Sequence, residues 1–193
     1  WVKALTGVPV GSRVVLVAPP KEGYGKQGNA QAGIKGSDSL AFVVDVIAAY
    51  PKDVPLPKST PVPDLPADGP KVEGTSDPTL TVPAKTPPPT KPAVQILAEG
   101  TGAKVEKGRL LVVQYTAVSW NNQPLGSTWK TGPQGVPVGG TSASPFDQLV
   151  GVPVGSRVLL TLPAQQGANA AEQSVAAVID ILGQHGPAKE SKQ

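Results

Sequence analysis

The seven residues GVPVGSR occur twice in this chain, at 7–13 and, unchanged, at 151–157. The match extends in both directions, so that residues 5–19 and their counterparts are identical at eleven of fifteen positions. A second matching block follows in each copy, LAFVVDVI at 40–47 in the first and VAAVIDIL at 175–182 in the second. The first blocks lie 144 positions apart and the second 135, so the loop between them is nine residues shorter in the second copy. This pattern predicts a duplicated domain.

The segment between the two copies is dominated by proline, which occupies thirteen of the 42 positions in 51–92. Proline fixes φ and removes a backbone donor, so neither a helix nor a sheet can propagate through such a segment. Few bulky apolar residues are present to offset the ordering entropy. We therefore predict a semi-extended Pro-rich linker (51–92) between the C-terminal half of a first domain (1–50) and a second domain (93–185), followed by a disordered tail (186–193). The run PPP at 87–89 leaves open a ligand for proline-binding modules.

The second copy has the composition of an α+β fold with little helix. Segments rich in Val, Leu and Ile predict strands at 93–102, 107–120, 156–163 and 174–183, the last ended by Gly183. Ser144 and Pro145 predict the cap and the first residue of a short helix. In the repeated phrase, the first Gly ends this helix, VPVG turns the chain and SRV begins a strand. We predict a mostly antiparallel sheet with one short helix against one face.

Composition excludes several kinds of chemistry. The chain has no Cys, so disulfides, thiolate nucleophiles and Cys-based metal sites are excluded. A single His, His185, argues against a zinc cluster or a Ser-His-Asp hydrolase, and we expect it to be solvated after the last strand. The Lys and Arg residues are scattered at a net charge of +3, which argues against nucleic-acid binding. No run approaches the roughly 18 consecutive apolar residues of a membrane span, so none is predicted.

Two further patterns have structural rather than catalytic interpretations. Asp45 and Asp180 occupy equivalent places in the last strand of each copy, where a carboxylate among apolar residues is expected on the solvated face. They belong to different copies and form no acid–base pair. GYGKQG (23–28) matches a dinucleotide-binding pattern, but loop-like composition follows it where that site needs a helix.

Residues 1–25 combine an initial Trp with the motifs GVPVGSR, PP and GYG, and a Gly-rich loop with Ile34 and the block LAFVVDVI follow. This arrangement resembles the second half of an FKBP-type peptidyl-prolyl cis-trans isomerase. GTGAKVEKGRLLVVQYTAVSWNNQPLGSTW (100–129) is similar to the opening of the same family, and the resemblance covers about residues 1–47 and 93–184. It implies an antiparallel half-barrel wrapped around one short helix, with a shallow apolar cleft between helix and sheet.

The resemblance also implies catalytic residues in the first copy. Trp1 matches the Trp at the cleft floor, and Tyr24 matches the Tyr that donates to the ligand carbonyl. Ile34 matches the loop Ile whose N–H meets the substrate, and Phe42 matches the wall Phe. By the same resemblance the first copy lacks the opening half of the domain, because only six residues precede its GVPVGSR.

The second copy departs from the family at several positions. Its predicted substrate-binding residues are Tyr115, which matches a cleft Tyr, Leu125, which replaces a Phe, and Phe146, which is expected to fill part of the floor. Four family side chains are missing: the Asp falls on Gly126, the floor Trp on Pro145, the GYG Tyr on Ala168 and the wall Phe on Ala177. We therefore expect a degenerate copy that is mainly a scaffold or a protein-binding module.

The activity implied by the resemblance is peptidyl-prolyl cis-trans isomerisation of X-Pro bonds, without covalent catalysis, a metal or another cofactor. Proline-containing polypeptides would be the substrates, and macrolide ligands are left open. Two alternatives remain: a non-catalytic binding module with the same fold, and an extended surface protein in which the spacer matters most. The Pro/Thr-rich spacer between Cys-free domains suits an extracytoplasmic or secreted protein, with a cytoplasmic location as the alternative.

Overall fold

The computed structural model describes residues 1–57, 59–61, 68–140, 143–165 and 169–186. The chain divides into two compact units, Trp1–Ala49 (unit 1) and Tyr50–Gln193 (unit 2). The predictions that concern Ala168 and the tail from position 187 onwards lie outside the described residues. None of the helices in the described ranges has the length and apolar character that crossing a bilayer requires.

Unit 1 contains one antiparallel strand pair and four very short helices. Its elements are the α-helix α1 (Val2–Leu5), the strands β1 (Arg13–Ala18) and β2 (Leu40–Asp45), and 3-10 helices at Pro20–Glu22, Gly25–Gln27 and Ala30–Ala32. Side chains alternate along the paired strands, so the pair has two faces. The inner face is half-buried and holds Val14, Leu16, Ala18, Leu40, Phe42 and Val44. The outer face is exposed and holds Arg13, Val15, Val17, Ala41, Val43 and Asp45.

Unit 2 is built on an antiparallel sheet with few helices, which confirms the predicted α+β fold class. Its strands are β3 (Ser59–Pro61), β4 (Lys71–Glu73), β5 (Thr79–Thr81), β6 (Ala93–Gly100), β7 (Leu110–Ser119), β8 (Pro124–Ser127), β9 (Gln134–Pro137), β10 (Arg157–Leu162) and β11 (Val175–His185). Hydrogen bonds order the main sheet β3-β6-β10-β11-β7-β8, with β9 beside β7, while β4 and β5 form a separate hairpin. Its described helices are a 3-10 helix at Pro145–Leu149 and α2 (Ala170–Gln173).

The short helix predicted from Ser144 and Pro145 is confirmed, and it packs on one face of this sheet. The Ser144 hydroxyl accepts a hydrogen bond from the Phe146 amide, and the Asp147 carboxylate accepts one from the Ser144 amide. This reciprocal arrangement is a capping box, and it fixes where the helix begins. The helix buries Leu149 in the inner core of unit 2, with Leu111, Val113, Val158, Leu160, Ile179 and Ile181.

The opposite face of the unit 2 sheet is covered by residues 68–86, which we call the strap. Its hairpin β4–β5 places Val72 opposite Leu80, and Leu80 is buried in a second apolar cluster on the sheet. The members of this cluster are Leu80, Val82, Val118, Trp120, Leu159, Ala176 and Val178. The Trp120 indole N–H donates to the carbonyl of Thr86 at 2.9 Å, and this hydrogen bond joins the C-terminal end of the strap to the sheet.

The strap corrects the predicted spacer at 51–92. Proline was expected to prevent ordered structure there, but Pro70, Pro78 and Pro83 lie outside the three-residue strands, where no ladder hydrogen bond is lost. The apolar side chains at alternate positions 80 and 82 supply enough buried surface to hold the hairpin on the sheet. Unit 2 therefore begins at Tyr50 rather than at residue 93.

The last strand also differs from the prediction. Strand β11 continues past Gly183 to His185, because the register shifts between Ile181 and Gly183 and the ladder then resumes. The Tyr50 hydroxyl oxygen lies 2.8 Å from Nε2 of His185, and the two rings meet edge to face. His185 is thus a packed strand residue instead of the solvated residue that we expected.

Candidate functional site

The two copies of GVPVGSR adopt the same backbone geometry. In each copy a short helix ends just before the first Gly, and a strand begins at the Arg, as predicted. The amide of Gly11 donates to the carbonyl of Val46 at 2.7 Å, and that of Gly155 donates to Ile181 at 2.8 Å. Gly11 and Gly155 have φ values of +90° and +91°, a region that favours glycine. The phrase therefore encodes a turn that joins helix to sheet.

Each copy of the phrase also ends in an arginine that binds an aspartate on the neighbouring strand. In unit 1, Arg13 Nε and Nη2 donate to the two carboxylate oxygens of Asp45 at 2.6 and 2.8 Å. In unit 2, Arg157 binds Asp180 through the same atoms at the same two distances. The sequence did not lead us to predict these ion pairs. Both the Arg and the Asp recur at equivalent positions in the two copies, and that recurrence was the available signal.

The two ion pairs differ in their surroundings. The Asp45 side chain is 38% exposed, and the hydrogen bonds from Arg13 lower its pKa below the ordinary value. The Asp180 side chain is 1% exposed, which corrects the expectation that it lies on the solvated face. Burial raises the pKa of Asp180, and the hydrogen bonds from Arg157 oppose that rise.

Two of the four predicted catalytic residues in unit 1 are in contact. Trp1 is the N-cap residue of α1, and Phe42 lies on the inner face of β2 opposite Leu16. The ring centroids are 4.9 Å apart with an interplanar angle of 63°, an edge-to-face arrangement that aromatic pairs favour. Trp1 is 64% exposed, so the pair offers an apolar surface to solvent at the junction of α1 and the sheet.

The other two predicted residues lie in the loop between β1 and β2. Tyr24 immediately precedes a 3-10 helix and is half exposed, and among the described residues no ring contact joins it to Trp1 or Phe42. The Ile34 amide donates to the carbonyl of Asn29 at 2.9 Å, and its carbonyl accepts from the Asn29 amide. The N–H that the resemblance assigns to the substrate is therefore engaged within the loop in this structure, and the role of Ile34 toward a substrate stays a prediction.

The predicted substrate-binding residues of unit 2 are divided between a packed pair and an exposed residue. Tyr115 and Phe146 have ring centroids 6.2 Å apart, at an angle of 61°, beside the inner core. Leu125 is 54% exposed on β8. Gly126 lies against the Tyr115 side chain, since a Cβ there would be 3.8 Å from Cε2 and from the hydroxyl oxygen of Tyr115.

Two further family departures predicted for unit 2, besides Gly126, can be placed. Ala177 is buried within the inner core, and Pro145 is the first residue of the 3-10 helix. The sheet position opposite Ala177 is Leu160, which is also buried. In unit 1 the corresponding positions are Phe42 and Leu16, both only half-buried. At these positions the side chains on the inner face of unit 2 are buried by packing, whereas those on the inner face of unit 1 are partly exposed to solvent.

Comparison with known proteins gives one family match. Residues 1–47 match the family model described as FKBP-type peptidyl-prolyl cis-trans isomerase. The sequence matches none of the curated proteins compared with it.

Among solved structures, the chain is similar to FkpA from Escherichia coli, at 14% identity and a TM-score of 0.43, over 49% of this chain and 48% of FkpA. It is also similar to the N-terminal domain of FKBP42 from Arabidopsis thaliana, at 17% identity and a TM-score of 0.41, over 50% of this chain and 87% of that domain. The matched region thus spans about half the length of FkpA.

Proposed function

We propose, on the premise that residues 1–47 belong to the FKBP-type peptidyl-prolyl cis-trans isomerase family, that this chain isomerises X-Pro bonds in polypeptides. The observation that carries the proposal is the edge-to-face contact of Trp1 and Phe42 on the open inner face of unit 1. An exposed pair of rings beside a half-buried apolar face suits the ring of a prolyl residue.

The reaction needs selective binding rather than bond-breaking chemistry. Rotation about a peptide bond has a barrier of about 18–20 kcal/mol, because amide resonance is lost in the twisted state. The X-Pro bond populates both isomers, which exchange in tens to hundreds of seconds. The twisted amide is less dipolar than the planar one, so it loses less on leaving water for an apolar surface. Binding the twisted form more tightly than either planar isomer lowers the barrier.

The side chains of unit 1 have separate tasks in this proposal. Trp1 supports the prolyl ring from below, and Phe42 limits its movement from the side. The Tyr24 hydroxyl donates to the carbonyl that precedes the proline. Ile34 contributes its half-buried side chain to the wall, since its amide is already bonded to Asn29.

The test is exchange NMR spectroscopy on a short Phe-Pro peptide with the 193-residue chain. We expect the chain to speed cis–trans exchange. Trp1→Ala should lower kcat/KM about tenfold or more, and a tenfold loss corresponds to about 1.4 kcal/mol of transition-state stabilisation. Trp1→Phe should retain most of the activity. Val10→Asp changes an exposed apolar residue in the turn and is the matched control, expected to leave the rate unchanged. Exchange at the uncatalysed rate with the unmodified chain would refute the proposal.

A second candidate function is non-catalytic polypeptide binding by unit 2. The Tyr115–Phe146 pair favours it, because two rings remain in contact where other cleft residues are replaced. Titration of the same peptide into isotopically labelled chain would then shift the resonances of Tyr115 and Phe146. The Phe146→Leu variant would keep the cis–trans exchange rate of the unmodified chain. Shifts confined to unit 1 would exclude this candidate.

A further inference from the structure

A hollow of about 220 Å³ lies in unit 2, between the two ends of the strap and the sheet face that the strap covers. The sheet contributes residues of β6 and β10 to its walls, and two prolines that follow the strap contribute the rest of its rim. The described lining residues all belong to unit 2, so the hollow is separate from the proposed cleft. Its apolar lining consists of Pro70, Pro87, Pro89, Ala93, Trp120 and Leu159.

Hydrogen bonds along the strap hold this hollow open. The Thr86 hydroxyl donates to the carbonyl of Asp68 at 2.8 Å, which ties the two ends of the strap together. The carbonyl of Thr86 accepts the indole hydrogen bond that joins the strap to the sheet. At the hairpin turn, Arg157 donates to the carbonyls of Gly74 and Thr75 at 3.0 and 2.7 Å. The walls are therefore fixed before a ligand binds, as is usual for small-molecule pockets.

The size and the lining of the hollow suit an aromatic ring with a short carbon chain. An apolar cavity of about 150 Å³ is large enough for benzene, and this hollow is larger. Trp120 and Leu159 belong to one apolar cluster, so a ring that enters the hollow meets both aromatic and aliphatic surfaces. On the sheet side, Gln95 is paired with Leu159 and Thr161 with Ala93, which brings an amide and a hydroxyl to the same wall. A few polar groups of this kind fix the orientation of a bound ligand.

A second hollow, of about 390 Å³, shares Thr86 and Pro87 with the first and is lined by charged side chains. Lys71 and Lys85 line it together with Asp68, and these three residues leave a net charge of +1. Among the described residues, neither lysine takes part in an ion pair. This balance suits a single carboxylate, whereas a polyanion such as a nucleotide would bring an excess of negative charge.

We propose that the two hollows together form a binding site for a small aromatic carboxylate. The ring occupies the apolar hollow against Trp120 and Leu159. The carboxylate extends past Pro87 to the ammonium groups of Lys71 and Lys85. The site lies in unit 2 and does not depend on prolyl isomerisation, so either proposal can fail without the other.

The test is a titration of 3-phenylpropionate, which carries one ring, a short carbon chain and one carboxylate, into the isotopically labelled chain. The chain has three Trp residues, so the indole N–H resonances report on three separate places, and Trp1→Phe and Trp129→Phe assign them. We expect a saturable shift of the Trp120 indole resonance. The neutral 3-phenylpropionamide is the matched control, and it should bind about tenfold more weakly because it lacks the charge-assisted hydrogen bonds to lysine.

Three variants of the chain test the two parts of the site. Lys71→Gln combined with Lys85→Gln should raise the dissociation constant of 3-phenylpropionate about fivefold or more and leave that of the amide unchanged. Lys91→Gln removes an exposed lysine that lines neither hollow, and this charge-matched control should leave both constants unchanged. Ala93→Leu fills the apolar hollow from an exposed strand position and should abolish the shift of the Trp120 resonance. Its unfolding midpoint checks that unit 2 still folds.

Equal affinity for the acid and the amide would overturn the proposal, and so would an unchanged affinity in the double lysine variant. A saturable shift of the Trp1 resonance alone would also overturn it, since the ligand would then bind in unit 1. The absence of any saturable shift with the unmodified chain would have the same consequence.

Discussion

Arg157 holds Asp180 through hydrogen bonds of 2.6 and 2.8 Å beneath the strap of unit 2, where the two side chains are only 10% and 1% exposed. The same pair in unit 1, Arg13 with Asp45, lies in water. Exposed ion pairs contribute little to stability, whereas removing one partner of a buried pair leaves an uncompensated charge. The chain therefore contains one interaction in two environments, which makes the two pairs controls for each other.

We predict that Arg157→Ala lowers the free energy of unfolding of unit 2 by about 3–5 kcal/mol, because Asp180 would be left buried and unpaired. Denaturant unfolding followed by tryptophan fluorescence measures this, since Trp120 is buried in unit 2. Arg13→Ala is the matched control and should leave this transition where it is. Equal effects of the two variants would show that burial beneath the strap is not what makes the Arg157 pair important.

The strap should contribute to stability as part of the core of unit 2. Leu80 is 5% exposed, so Leu80→Ala should cost about 2–4 kcal/mol through lost burial and a residual cavity. Thr79→Ala, at an exposed position of the same strand, should change the free energy of unfolding by no more than about 0.5 kcal/mol. If residues 68–86 were a spacer, neither substitution would move the unfolding midpoint.

The capping carboxylate should make unit 2 sensitive to acid. Backbone hydrogen bonds from Gly139 and Ser144 hold the pKa of Asp147 below its ordinary value, so its ionised form stabilises the folded state. That stabilisation is complete above the unfolded pKa of about 3.9 and is lost as the pH falls through the lower folded pKa. The unfolding midpoint of Asp147→Asn should therefore lie below that of the unmodified chain at pH 7 and approach it near pH 3. A difference that stays constant over this range would contradict the assignment.

The turn of the repeated phrase should tolerate alanine less well in unit 2. Gly11 and Gly155 share a positive φ, which costs a residue with a Cβ about 1–2 kcal/mol. A Cβ on Gly155 would lie 3.3 Å from Gly100 Cα and from Pro57 Cβ, whereas one on Gly11 would have no neighbour within 4 Å among the residues that the structure describes. Gly155→Ala should therefore destabilise its unit more than Gly11→Ala destabilises its own, as followed by hydrogen exchange of each unit's amides. The opposite order would mean that packing around Gly155 relaxes freely.

Local sequence signals predicted the elements that depend on neighbouring residues. The capped helix at Pro145, the turn of the repeated phrase and most strands of unit 2 follow from caps, glycines and runs of branched side chains. The contact between Trp1 and Phe42 is consistent with the resemblance of the motifs around them. In these cases the residues that fix the structure lie within a few positions of it, or in a motif that can be compared.

The features that the sequence did not predict depend on partners distant along the chain. The strap is ordered because Leu80 meets Leu159 on the sheet, and proline content cannot show such a partner. Asp180 is buried because the strap covers it, and the same alternating strand pattern in unit 1 leaves Asp45 exposed. The engaged amide of Ile34 likewise depends on how its loop closes on Asn29.

The position of the strap has a practical consequence for anyone who wishes to isolate unit 2. A fragment that begins at residue 93, where the repeat alone would suggest cutting, would leave Trp120, Leu159 and Val178 uncovered and Arg157 without two of its acceptors. Such a fragment would expose an apolar sheet surface of the kind that drives self-association. A fragment that begins at Tyr50 retains the cover together with the sheet.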